Sequence, residues 1–294
     1  MTREQPHKLF EGGKIPFIVE RFKKNQEAVI FSDLDQTIVT GGQVVKGMFR
    51  IAEQGTTVIP ITVRASRRVL ELPGVGGLPR GHSLISYGGA CVRPIFQTSG
   101  ERHFEKETRL EGQLLDRSLN KIQKAFDKKV LKAVMFFPYN QYAVVYGVEK
   151  YKSHPTRTMK RVENFQKFSQ RAKEDPPFQI FCVKNPEHEL GKESPFPPNF
   201  EITANQGGWN VRPPGIDKGQ AYQEWCDFYK IKPWLTMGAG DSFADLEFLR
   251  RIDEQGGQTI LVGHEVPEKE FKPTIRVVTP DEVPAAIGKL MKQL

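Results

Sequence analysis

The sequence is poor in cysteine and has no long hydrophobic segment. Its 294 residues include three cysteines, Cys91, Cys182 and Cys226, which lie far apart and form no CxxC pair. We therefore expect neither a disulfide framework nor a cysteine zinc site, and this usage is typical of a reducing, cytoplasmic location. No run approaches the roughly 18 consecutive apolar residues of a membrane span, so we expect no membrane partner.

The sequence also has an excess of basic residues, most of it in one segment. It contains 43 Lys and Arg against 35 Asp and Glu, a net charge of +8. Residues 101–175 hold 17 basic and 10 acidic residues, so this segment alone carries 17 − 10 = +7. The segment could offer a cationic surface to an anionic substrate, or it could form two solvated helix faces. No nucleic-acid-binding signature accompanies the charge, so nucleic acid is not an expected partner.

Short apolar runs indicate a parallel sheet that is interrupted by a large insertion. Runs at 28–31, 57–61 and 83–86 are typical of strands that are buried on both faces. The same pattern resumes at 235–237 and 259–262. The residues between these two groups of runs mix helical periodicity with apolar strand patterns, which is typical of an α+β unit.

The sequence therefore predicts an α/β protein with three parts. Residues 1–25 form a polar leader segment, and residues 26–91 and 206–294 form a Rossmann-like core with a parallel sheet. Residues 92–205 form an inserted α+β cap domain. Within the cap, helical periodicity predicts a helix over residues 154–174.

Acidic residues follow two of the buried strands. Asp33 and Asp35 come directly after the first run. Asp241, Ser242 and Asp245 follow the run at 235–237. Ligands of such sheets bind at the carboxyl ends of the strands, where one carboxylate can act as nucleophile and another as general acid and base. Carboxylates on a first helical turn suit a hard cation such as Mg²⁺, although each motif alone also fits a solvated turn or a helix cap.

Two further polar residues stand at predicted strand–helix junctions. Thr62 ends the second strand, where a hydroxyl and neighbouring N–H groups suit phosphate oxygens. Lys218 lies near a helix start, against the helix dipole, so a nearby anion would explain it. An ordinary helix cap at Thr62 and a solvated surface lysine at position 218 are the alternatives.

The motifs occur in a characteristic order along the chain. They are Asp33-x-Asp35, Thr62, Lys218 and Gly240-Asp241-Ser242-x-x-Asp245. In this order the sequence resembles the haloacid-dehalogenase-like phosphatase superfamily. It is similar to subclass IIB, with a large cap between the second and third motifs, which includes Cof-type and sucrose-phosphate phosphatases. The resemblance spans roughly residues 27–91 and 208–264.

This resemblance implies a Mg²⁺-dependent phosphatase that hydrolyses a small phosphorylated metabolite through an aspartyl-phosphate intermediate. Sugar phosphates are the first candidates for the substrate. By motif position, Asp33 would attack phosphorus, and Asp35 would protonate the leaving oxygen and then activate water. Thr62 and Lys218 would bind the phosphoryl group. Asp241 would bind Mg²⁺ together with the Asp33 carboxylate and the Asp35 backbone carbonyl.

The resemblance also gives supporting roles to Ser242 and Asp245, the latter holding Lys218 or a metal-bound water. Three residues depart from the subclass pattern, with Val63 in place of the usual Gly, and Gly88 and Ala244 in place of Asn. Two other functions stay open: a catalytically weak phosphate-binding regulatory or interaction protein on the same fold, and a phosphotransferase. The sequence does not indicate an oligomeric state.

Overall fold

The computed structural model describes residues 28–54, 56–75, 83–94, 103–137, 143–147, 159–187, 201–205 and 208–293. The predicted leader segment, residues 1–25, lies outside them. The strands are β1 (Val29–Ser32), β2 (Val39–Thr40), β3 (Gln43–Val44), β4 (Thr57–Pro60), β5 (Ser83–Ser86), β6 (Cys91–Pro94), β7 (Lys106–Glu107), β8 (Leu131–Phe136), β9 (Ala143–Tyr146), β10 (Met159–Arg161), β11 (Ile180–Lys184), β12 (Glu201–Asn205), β13 (Gly208–Arg212), β14 (Thr236–Gly240), β15 (Gln258–Val262) and β16 (Ile275–Val277). The helices are α1 (Gly47–Glu53), α2 (Ser66–Leu70), α3 (Gly112–Asp127), α4 (Phe165–Glu174), α5 (Lys218–Tyr229), α6 (Leu246–Glu254) and α7 (Val283–Met291).

A five-stranded parallel sheet in the order β16-β15-β14-β1-β4 forms the centre of the core. Ile30 of β1 packs in the cluster that includes α1 and α7, whereas Phe31 packs against α5 and α6 on the other face. The Phe31 ring meets Tyr222 and Trp225 edge-on, with centroids 4.8 and 5.4 Å apart. Helices on both faces explain the uninterrupted apolar runs, and the predicted α/β fold with a parallel sheet is confirmed.

An antiparallel hairpin extends the core beyond β4. The strand β5 joins the end of β4 through a parallel bridge between Ile61 and Ile85. It pairs antiparallel with β6, and β6 pairs with β7. Residues 92–94, which the predicted boundary assigns to the cap, thus continue a strand of the hairpin.

A second, six-stranded sheet in the order β10-β9-β8-β11-β13-β12 corresponds to the inserted α+β unit. Helices α3 and α4 pack on one of its faces, around Phe136 and Phe168. The strand β13 pairs antiparallel with β11 and β12, so the second sheet extends past the predicted boundary at residue 206 as far as Arg212. No helix in the described part of the chain is long and apolar enough to cross a membrane.

The helix expected over residues 154–174 is shorter in the structure. Residues 154–158 lie outside the described residues, and Met159–Arg161 forms β10 beside β9. The helix begins after Asn164, whose side-chain oxygen accepts a hydrogen bond from the Lys167 amide at 2.9 Å. An N-cap of this kind satisfies a free N–H group of the first turn and stops the helix from extending further back.

Candidate active site

Neighbouring strands bring two of the predicted acidic residues to the same edge of the core sheet. Asp33 directly follows β1, and its backbone N–H donates to the Ala239 carbonyl of β14 at 2.9 Å. Asp241 directly follows β14. Because β1 and β14 are parallel and paired in register, their carboxyl ends coincide, and the two carboxylates come close together.

Lys218 is buried between two carboxylates, with only 2% of its surface exposed. Its Nζ donates to Asp33 Oδ1 at 2.7 Å and to Asp245 Oδ1 at 2.6 Å. Burial alone would lower the pKa of Lys218, but Asp245 and Asp33 together raise it above its ordinary value, so the amine stays protonated. This geometry excludes the alternative of a solvated surface lysine.

Asp245 is held by the loop that follows β14. Its Oδ2 accepts hydrogen bonds from the backbone N–H groups of Asp241 and Ser242, both at 3.0 Å, and from Ser242 Oγ at 2.9 Å. The Asp245 Cβ would lie 2.5 Å from a Cβ at residue 240, so this close approach requires Gly240. One Asp245 oxygen therefore anchors the loop, while the other positions Lys218.

Three carboxylates form a possible cation site. Asp33, Asp241 and Asp245 each offer one oxygen, and these atoms lie within 4.8 Å of one another. Asp241 Oδ1 also accepts a hydrogen bond from Thr37 Oγ1 at 2.9 Å. A set of hard oxygen donors with more negative charge than Lys218 neutralises fits a divalent cation such as Mg²⁺.

Two of these carboxyls have raised pKa values, chiefly because they are buried. Burial, opposed by Lys218 and reinforced by Asp245, raises the pKa of Asp33 well above its usual range. Burial and repulsion from Asp245 raise the pKa of Asp241 to about 7. A bound cation would favour the ionised form of both groups.

Asp35 does not contact Lys218 in the way that Asp33 and Asp245 do. Its half-exposed carboxylate forms a bidentate ion pair with Arg64, in which Arg64 Nε donates to Oδ2 at 2.5 Å and Nη2 donates to Oδ1. Arg64 is absent from the residues that the motifs predict. Its place two residues after Thr62, at the end of the strand beside β1, is the signal that could have identified it.

Thr62 is fully buried just beyond the end of β4. Its N–H donates to the Ile85 carbonyl at 2.9 Å, and its Oγ1 accepts from the Arg64 amide at 3.2 Å. The preceding residue, Ile61, donates to the Ser32 carbonyl at 2.9 Å. These bonds place Thr62 beside the β1 end that carries Asp33.

The second sheet contacts the core at two of the three residues that depart from the subclass pattern. Gln179 Nε2 donates to the Val63 carbonyl at 2.8 Å. Arg212 Nη1 donates to the Gly88 carbonyl at 2.5 Å. These departures therefore lie where the inserted unit meets the core, beside the site.

The basic side chains of α4 favour the interpretation that the basic segment, residues 101–175, forms solvated helix faces. Lys167 pairs with Glu163, Arg171 with Glu174 at 3.0 Å, and Lys173 with Asp116 of α3. All three cations are exposed. Exposed pairs of this kind contribute little stability and do not form a converging anion site.

The fold has relatives among known proteins. The family model for haloacid dehalogenase-like hydrolases matches residues 30–255. The structure is similar to that of a subclass IIB sugar phosphatase of this superfamily, with 19% identity, a TM-score of 0.65, and coverage of 90% of this chain and 98% of that chain. A phosphatase of the superfamily from Bacteroides thetaiotaomicron is 17% identical, with a TM-score of 0.66 and coverage of 92% and 97%.

A further similar structure comes from another organism. A protein from Plasmodium vivax described as a HAD/Cof-like hydrolase is 14% identical, with a TM-score of 0.68 and coverage of 94% of this chain and 99% of that chain. Comparison with curated proteins by sequence finds no match. At these identities the similar structures show a shared fold, and the family model spans most of the sequence. The chain therefore belongs to the haloacid dehalogenase-like hydrolase family.

Proposed function

We propose that the protein is a Mg²⁺-dependent phosphatase of small phosphorylated metabolites, with sugar phosphates as the first candidates. The contact of the buried Lys218 amine with Asp33, beside the Asp241 and Asp245 carboxylates, carries this proposal. A phosphate dianion repels a carboxylate nucleophile, so its charge must be offset before attack. Lys218 supplies one positive charge at the atom where the attack begins.

Asp33 is the proposed nucleophile. One of its oxygens forms a bond to phosphorus while the bond to the leaving oxygen breaks, and the electron pair stays on that oxygen. Asp33, Asp241 and the Asp35 backbone carbonyl would hold Mg²⁺. When bound, Mg²⁺ would offset the negative charge of the phosphoryl group. Asp245 keeps Lys218 in place, and the Thr62 hydroxyl donates to a phosphoryl oxygen.

Asp35 is the proposed general acid and base. It gives a proton to the leaving oxygen, then takes one from the water that attacks phosphorus and releases Asp33. Arg64 orients the Asp35 carboxylate through two hydrogen bonds. Because both Asp35 oxygens are engaged by Arg64, Asp35 must loosen this pair before it protonates a substrate oxygen.

Two observations support the choice of substrate and location. The fold is shared with a subclass IIB sugar phosphatase. The three cysteines are free and buried, as in proteins of the reducing cytosol, which is where we expect the protein to act.

The test is phosphate release from a panel of phosphorylated metabolites, with and without Mg²⁺, for the wild type and Asp33→Asn. We expect Mg²⁺-dependent turnover that falls by about a thousandfold or more in the variant, because the amide is a poor nucleophile. Added alcohols or sugars that capture the phosphoryl group would indicate a phosphotransferase. Mg²⁺ binding without turnover of any substrate would indicate the phosphate-binding alternative.

A further inference from the structure

Gln179 links the second sheet to the proposed phosphate-binding segment. It directly precedes β11, and its Nε2 donates to the Val63 carbonyl at 2.8 Å. Val63 lies between Thr62, which follows β4, and Arg64, which holds Asp35. A residue of the inserted unit thus lies beside the groups proposed to bind phosphate and to protonate the leaving group.

The other end of the Gln179 amide has no partner among the described residues. Gln179 is 7% exposed, and its Oε1 is a buried atom without a hydrogen bond. The bond from Nε2 to a carbonyl determines which end of the amide is the oxygen, so the unpaired end is an acceptor. Unpaired buried acceptors are costly, and one beside a site calls for a donor from water or ligand.

Strand geometry places Gln179 on the face of the second sheet opposite α3 and α4. Ile180 and Cys182 pack in the cluster with these helices, whereas Phe181 packs with the opposite cluster. Because side chains alternate along a strand, Gln179 shares the face of Phe181. Asn210 pairs with Phe181 across the ladder and lies on the same face, 3% exposed.

This face has the composition of a small-molecule site. It combines the apolar Phe181 with the buried polar side chains of Gln179 and Asn210. In the same strand as Asn210, β13, Arg212 reaches the core at Gly88. Ligand sites are mostly apolar, with a few polar groups that set orientation and specificity. The bond from Gln179 to the Val63 carbonyl holds this face next to Thr62, the residue proposed to bind phosphate.

We propose that Gln179 is a specificity-determining residue that accepts a hydrogen bond from a hydroxyl of the leaving group. A hydroxyl donates to Oε1, whereas an aryl leaving group without a hydroxyl offers no donor. The site therefore selects sugar and polyol phosphates over aryl phosphates. This inference rests on the proposed phosphatase function and names a residue that selects among its substrates.

The test compares Gln179→Met, which removes both the acceptor and the bond to the Val63 carbonyl at similar volume, with Gln166→Met, a matched control at an exposed position of α4. Substrates are hexose, pentose and triose monophosphates, together with p-nitrophenyl phosphate. For the best sugar phosphate, we expect kcat/KM of Gln179→Met to fall about tenfold, the effect of one lost hydrogen bond. With p-nitrophenyl phosphate, kcat/KM of Gln179→Met should stay within about twofold of the wild-type value. The Gln166→Met control should match the wild type on both substrates.

Deoxy analogues of the best sugar phosphate identify the hydroxyl. Removal of the hydroxyl that Gln179 binds should lower wild-type kcat/KM about tenfold and leave Gln179→Met almost unaffected, because the two changes remove the same bond. If the variant fails to fold, the wild-type series alone still tests whether any hydroxyl of the leaving group is recognised. A series in which no single hydroxyl matters overturns the proposal.

The remaining outcomes separate this inference from the proposed function. An equal loss on sugar and aryl substrates would show that Gln179 only holds the second sheet against Val63, and no loss on either would exclude any role; both overturn the inference. Wild-type preference for p-nitrophenyl phosphate over every sugar phosphate also overturns it, while the phosphatase function stands. Absence of Mg²⁺-dependent phosphate release from every substrate overturns the proposed function and this inference together.

Discussion

The guanidinium of Arg212 occupies the space that a side chain at residue 88 would fill. Arg212 is 1% exposed, and its Nη1 donates to the Gly88 carbonyl at 2.5 Å. A Cβ on Gly88, which has a φ of +64°, would lie 2.0 Å from that nitrogen. The glycine and the arginine are thus compatible with each other, whereas the asparagine that is usual in the subclass would collide with Arg212.

We therefore expect Gly88→Asn to destabilise the protein by about 2–3 kcal/mol, because a well-packed interior resists added volume. The backbone conformation itself is one that Asn tolerates, so the collision is the main cause. Chemical denaturation measures the change in the free energy of unfolding. Gly215→Asn is the matched control, since Gly215 has a similar φ of +71° and no atom within 4 Å of the added Cβ.

Arg212→Met in the Gly88→Asn background tests the pairing directly. The double variant should be more stable than the sum of the two single changes implies, by about 1–2 kcal/mol, because removal of the guanidinium relieves the collision that the asparagine creates. Simple additivity of the two changes would show that the contact does not couple residues 88 and 212.

Lys218→Met should destabilise the protein and abolish turnover. It leaves Asp33 and Asp245 buried without their cation, and breaking a buried ion pair costs about 3–5 kcal/mol. Thermal unfolding and phosphate release measure the two effects, and Lys121→Met on the exposed face of α3 is the control. A Lys218→Met protein with wild-type stability and turnover would contradict the assignment of this lysine.

Mg²⁺ binding should strengthen as the pH rises. Burial and repulsion from Asp245 raise the pKa of Asp241 from 3.8 to about 7 in the metal-free protein. A raised acid pKa means that the contribution of this group to stability falls as the pH rises from about 4 through 7, and that Mg²⁺ must displace a proton at lower pH.

The apparent Kd for Mg²⁺ should therefore tighten about tenfold between pH 6 and pH 8, as one carboxyl with a pKa of about 7 becomes ionised. Titration calorimetry, or the rise in Tm with added Mg²⁺, measures this change. Asp241→Asn should weaken binding and remove the part of the pH dependence that Asp241 contributes, leaving the part that comes from Asp33, whose pKa is also raised. Equal affinity at both pH values would argue against Asp241 as the group that titrates.

Arg64→Met should lower kcat about tenfold, because Asp35 loses the group that orients its carboxylate. It should leave Mg²⁺ affinity unchanged, because Arg64 does not contact the cluster of Asp33, Asp241 and Asp245. Arg64→Lys should be intermediate, since an ammonium cannot reproduce the bidentate pair. The double variant with Asp35→Asn should be no slower than Asp35→Asn alone, because Arg64 acts through Asp35. Multiplying effects would indicate an independent role for Arg64.

Local patterns in the sequence were sufficient to predict the core. Uninterrupted apolar runs indicate strands buried on both faces, and the structure places Asp33 and Asp241 at the ends of the adjacent strands β1 and β14. The order of the motifs along the chain indicates the family without any knowledge of contacts. Burial of Lys218 between two carboxylates follows from the same arrangement, because α5 begins beside those strand ends.

Contacts between distant segments were decided by the tertiary structure. The pairing of β13 with β11, the bond from Gln179 to Val63, and the ion pair of Arg64 with Asp35 each join residues that no local pattern relates. Periodicity reports which face of an element is buried, but it does not report which element covers that face. For this protein the sequence by itself predicts the reacting groups, whereas the packing of the inserted unit on the core determines which side chains surround them.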